Sequence, residues 1–80
     1  MNVRKPADFT PLYQELDRLM WKKLPETALY FAIGQAVCAR PEKGAAVMAA
    51  EYFHAAYPKR KGFSPRNLRR MRAFARAYRD

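Results

Sequence analysis

Apolar residues recur at helical spacing along the whole chain, and no stretch alternates in the manner of a half-buried strand. Prolines and glycines divide this pattern into four segments. In the first, Leu12, Leu16, Leu19 and Met20 share one face of a predicted helix over 11–23. Thr10 suits its N-cap and Pro11 its first helical position, where a missing N–H costs nothing. Trp21 falls off the apolar face and is expected to cap the edge of the core. A second helix is predicted over 25–39. Leu29, Tyr30, Phe31, Ile33, Val37 and Cys38 surround most of its circumference, which makes it the central helix. Gly34 in its interior costs about 1 kcal/mol relative to alanine. A close helix crossing would account for that cost, and so would a kink. Arg40-Pro41 ends this segment. The third helix, over 43–57, is rich in alanine, with Met48, Tyr52 and Phe53 as its bulk, and Pro58 stops it.

The fourth helix, over 65–78, has the best-specified start. Ser64 is an N-cap, Pro65 takes the first helical position, and Phe63 and Leu68 have the spacing of a hydrophobic staple. Leu68, Met71, Phe74, Ala75 and Tyr78 form an apolar stripe, with Arg66, Arg69, Arg70 and Arg76 opposite. Arg72 and Arg79 flank the stripe on one edge and Asn67 on the other. The expected architecture is all-α: a compact four-helix bundle forming a single domain over 1–80, with a helix-turn-helix-like pair over 43–78.

Length fits that reading, since 80 residues leave no room for a second core. Charge changes it more. The net charge is +9, and residues 58–80 hold nine basic side chains against the single acid Asp80. Residues 1–57 are nearly neutral, with seven basic and six acidic side chains. Such asymmetry points to a polyanionic partner, nucleic acid or an anionic surface. One cysteine allows no internal disulfide and no multi-cysteine zinc site, so a reducing, cytoplasmic setting is expected. The first residues lack the apolar stretch of a signal peptide, and the most apolar run, 28–39, is too short to span a bilayer. No membrane partner is expected.

Every cation from residue 65 onward is arginine, and no glutamate or lysine accompanies them. The i,i+4 pairs Arg66–Arg70 and Arg72–Arg76 repel in the free protein, a cost that an anionic ligand relieves. Arginine also makes forked bonds to phosphate and to guanine edges that lysine does not. In a helix-turn-helix the second helix enters the major groove by its N-terminal half. Arg66, Asn67 and Arg70 are then nearest the bases. Lys59, Arg60, Lys61, Arg69 and Arg76 contact phosphates, with Arg72 beside them. DNA is the expected partner. RNA, a homodimer reading two half-sites, and a protein-interaction module docking on an acidic or DNA-binding protein stay open from the residues alone.

Gly62-Phe63-Ser64 followed by Asn67-Leu68, Met71-Arg72, Phe74 and Tyr78 resembles the end of the N-terminal helical domain of the YhcG-type PD-(D/E)XK nuclease family. Tyr30-Phe31-Ala32-Ile33-Gly34 resembles an upstream aromatic-x-x-Ile-Gly segment of the same domain. The two stretches lie within residues 28–78. The resemblance implies a helix-turn-helix DNA-binding module. That family's nuclease domain lies downstream of it, whereas this sequence stops at Asp80, so a module without the nuclease is expected. Pro65 stands at a variable motif position, and the link between helices two and three is shorter than the family's.

Catalytic chemistry finds little footing. A nuclease of that type needs clustered carboxylates and a nearby lysine to hold a divalent metal, and no such set occurs. Glu51 and His54 are the one acid–histidine pair at helical spacing, for which a local hydrogen bond is the expected role. Cys38 reads as a small core residue. Neither cofactor nor metal is expected, and the protein is read as non-enzymatic. The aromatic residues sit at core spacing; stacking on single-stranded bases would require Trp21 or Tyr57 to stand exposed.

Overall fold

A computed structural model describes residues 8–78 as four α-helices: α1 Thr10–Trp21, α2 Glu26–Cys38, α3 Ala45–Ala56 and α4 Pro65–Ala77. Arg79 and Asp80 lie outside the described residues. The all-α expectation holds, and three of the four helix starts differ by one or two residues for local reasons. Thr10 is not the cap of α1: its N–H donates to Asp8 Oδ1 at 2.9 Å, which places Phe9 at the boundary and Thr10 inside the helix. Pro25 is extended (ψ 150°) and precedes α2. Glu42 is drawn into a two-bond ion pair with Arg40, at 2.9 and 3.2 Å, and α3 begins only after Gly44. The start of α4 is as expected. Ser64 is extended and its Oγ accepts from the Asn67 N–H at 3.2 Å.

The core is built from Leu12, Leu16 and Leu19 of α1, Leu29, Ile33 and Val37 of α2, the alanines and Phe53 of α3, and Leu68 and Met71 of α4. Phe63, from the link before α4, stacks on Phe53 with ring centroids 4.1 Å apart. Small side chains on α3 (Ala45, Ala46, Ala49 and Ala50, all buried) allow its backbone to come close to its neighbours. α2 packs against all three other helices, most extensively against α4, while α1 and α4 do not meet. It is therefore central, as its all-round apolar character requires.

Gly34 is the point where α2 and α4 cross. A Cβ there would lie 2.1 Å from the Met71 carbonyl oxygen and 3.1 Å from Ala75 Cβ. The close crossing, not a kink, explains the glycine. On the other side of the molecule α1 is tied to α3. Asp17 accepts from the Tyr52 hydroxyl at 2.6 Å and from the Tyr57 hydroxyl at 2.7 Å, and Tyr13 stacks on Tyr52 with centroids 4.5 Å apart.

Several side chains depart from the expected core. Trp21 does not cap it: the indole is 81% exposed. The stripe of α4 is narrower than the wheel suggests, because Phe74 (46%) and Tyr78 (68%) project beyond what α2 covers. The Phe74 ring meets those of Phe31 and Tyr78, at 5.8 and 4.7 Å between centroids. Cys38 is half-buried and does not belong to the core cluster. Glu51 and His54 both stand in solvent and share no hydrogen bond.

Candidate nucleic-acid interface

The link between α3 and α4 covers residues 57–64 and is longer than the three- to four-residue turn of a DNA-reading helix-turn-helix. It forms an anchored loop, and α4 rides mainly on α2. The loop is held at both ends. The Arg60 N–H donates to the Tyr57 carbonyl at 3.0 Å. Gly62 takes a left-handed conformation (φ 91°), and a Cβ there would stand 3.3 Å from the Tyr30 hydroxyl. The Gly62 carbonyl accepts from Asn67 Nδ2 at 3.2 Å.

Asn67 therefore has a structural task. Its side chain is half-buried and closes the turn through Gly62, while its N–H meets the Ser64 cap. The bond to Gly62 fixes Asn67 at the start of α4, with Arg66 and Arg70 beside it at the exposed surface.

Around this anchored turn stand the cations. Lys59, Arg60, Lys61, Arg66, Arg69, Arg70 and Arg76 are exposed, and Arg72 is half-buried. The Arg60 guanidinium lies 5.5 Å from the centre of the Phe63 ring, which steadies it without neutralising it. Arg70 borders an apolar groove of about 290 Å³ between α2 and α4, lined by Tyr30, Phe31, Met71 and Phe74. Among the described residues the ion pairs are Arg18–Glu15 within α1 and Arg40–Glu42 ahead of α3, so no arginine of α4 has a carboxylate partner there. The first turn of α4 contains no acid and does contain Arg66, a cation at the positive end of the helix dipole. Backbone N–H groups and guanidinium at that end favour an anion together.

The Asp17 network adjoins the loop through Tyr57 and gave no sign in the sequence, since its partners are 35 and 40 residues away. It pushes the Tyr52 phenol up to about 12, first through the hydrogen bond to Asp17 and then through desolvation. Tyr57 moves the same way, chiefly by burial. No three His, Cys, Asp or Glu side chains come together as a metal site among the described residues, and none of their helices is long and apolar enough to cross a membrane. In comparisons with known proteins, no family model, no curated protein and no solved structure matches the chain.

Proposed function

We propose that this chain is a non-enzymatic nucleic-acid-binding module that takes duplex DNA along the basic turn 59–61 and α4. The carrying observation is the row of arginines on α4, which is fixed on the core by Leu68 and Met71 and has no carboxylate partner among the described residues. The repulsion between Arg66 and Arg70, and between Arg72 and Arg76, costs a few tenths of a kcal/mol per pair and disappears when phosphates are bound. In the proposed pose the N-terminal half of α4 enters the major groove. Arg66 and Arg70 reach base edges, and Lys59, Arg60, Lys61, Arg69, Arg72 and Arg76 take phosphates. Asn67 and Ser64 hold the start of α4 against the turn through their bonds to Gly62 and to each other. The Gly62-Phe63-Ser64 to Phe74 resemblance supports the same reading, as does the single cysteine for a cytoplasmic setting.

Electrophoretic shift with random duplex, single strand and RNA at two salt concentrations tests it. Duplex should shift at low salt and lose its shift at high salt. Absence of any low-salt shift, or unchanged binding by Arg69→Ala/Arg70→Ala, refutes the reading. The exposed Phe74 and Tyr78 favour a second one, an interaction module for an acidic protein. A complex that survives nuclease treatment would support that alternative. A homodimer fits either reading and is checked by sedimentation with and without duplex.

A further inference from the structure

We propose that Trp21 is a stacking platform for an unpaired nucleobase, with the adjoining basic turn holding the phosphates of that strand. The inference deepens the nucleic-acid reading and rests on it for the polyanionic partner. Trp21 ends α1 and is the most exposed large apolar side chain of the described residues. A solvated indole of this kind, with no core role, is a surface for another flat ring.

Its surroundings suit a nucleotide. A depression of about 250 Å³ lies between Trp21, Met20, Lys23 and Tyr57. Met20 and Lys23 also line a neighbouring hollow of about 470 Å³ that reaches Arg60 and Lys61. Met20 and Lys23 stand between the two, so the indole and the cations of the turn lie in adjoining hollows. The far wall is rigid, because Tyr57 is held at three points: its hydroxyl donates to Asp17, its N–H to the Phe53 carbonyl, and its carbonyl accepts from Arg60. One carboxylate, Glu26, stands on the rim of the larger hollow, and it is engaged by the Tyr30 hydroxyl at 2.7 Å. Lys23 adopts a left-handed backbone (φ 53°), a position where glycine is the unstrained choice, and so carries a charge where the fold alone would favour none. A phosphodiester strand with one base on Trp21 would bring its neighbouring phosphates to Lys23, Arg60 and Lys61.

The protein has one tryptophan, so its emission reports this site alone. The probes are oligothymidylate, oligouridylate, an abasic strand with the same number of phosphates, and a blunt duplex. Both base-bearing strands should quench Trp21 emission, and the abasic strand and duplex should leave it nearly unchanged. The DNA and RNA arms show which source binds better. Trp21→Ala should weaken labelled single strand by about 5-fold or more, as expected for one lost base stack, and Trp21→Phe should restore part of it. Duplex binding should be unchanged in both variants. Because the indole is exposed, these variants keep the fold, which circular dichroism verifies. Equal quenching by the abasic strand, absence of quenching, or undiminished single-strand affinity in Trp21→Ala overturns the inference while duplex binding stands. Quenching by single strands with no duplex binding supports it and overturns the duplex reading alone.

Discussion

Gly34→Ala is the sharpest test of how α4 is positioned. The added Cβ would meet the Met71 carbonyl oxygen at 2.1 Å and its carbon at 2.6 Å. An ordinary C···O contact begins at about 3.3 Å, so the two helices must part by about 1 Å. The obstacle is backbone, which no rotamer change removes. Overpacking of this kind costs about 3 kcal/mol or more at the severe end, and the better helix propensity of alanine returns about 1. A net loss of about 2 kcal/mol remains, a large share of the stability of so small a domain. In a thermal melt followed by circular dichroism, this corresponds to a midpoint about 8–16 °C lower. Gly44→Ala is the control. Nothing lies within 4 Å of a Cβ there, and a poorer cap offsets the stiffer unfolded chain, so the change should stay within about 1 kcal/mol. A Gly34→Ala midpoint equal to or above that of the parent would refute the close crossing.

Other perturbations follow from single contacts. Ser64→Ala removes the cap of α4 and should cost about 1 kcal/mol, a midpoint lower by about 4–8 °C, with Ser64→Asp recovering much of it; an unchanged melt would show that the cap bond contributes nothing. Lys23→Gly relieves the left-handed backbone and should stabilise the fold by about 1 kcal/mol while weakening single-strand binding, so a destabilised variant would contradict the strain argument. The Tyr52 phenol rises from 10.0 to about 12, so its protonated form is the one the fold favours. Its contribution is complete below pH 10.0 and is lost as pH rises towards about 12. Denaturant titrations across that range should show falling stability, less so in Tyr52→Phe, and identical slopes for the two proteins would dismiss the Asp17 network as a source.

The parts of this structure that could be read along the chain are those decided within one turn of helix. Ser64, Pro65 and Asn67 lie within hydrogen-bond reach whatever the rest of the molecule does, and the start of α4 was legible for that reason. Gly34 announced a cost, but choosing between a crossing and a kink needed Met71, which folding brings beside it. Helical spacing placed Phe74 on the apolar side of α4, yet exposure depends on how far α2 extends over it. Trp21 poses the same problem at the end of α1. Asn67 was chosen by residue type, and its amide bond to the Gly62 carbonyl became visible only in the fold. The arginine surface was legible in outline because charge needs no partner to be counted. Its freedom from carboxylates among the described residues depended on where Glu15 and Glu42 found their own arginines.

Duplex affinity measured against salt bears most directly on the central reading. The logarithm of the binding constant should fall linearly with the logarithm of salt concentration, by about 0.9 per phosphate neutralised. Arg69→Ala/Arg76→Ala, which removes two of the assigned phosphate contacts, should reduce that slope by nearly 2, with the fold intact because both side chains are exposed. A slope near zero, or one that the double substitution leaves unchanged, would contradict the assignment of α4 as a phosphate-binding surface.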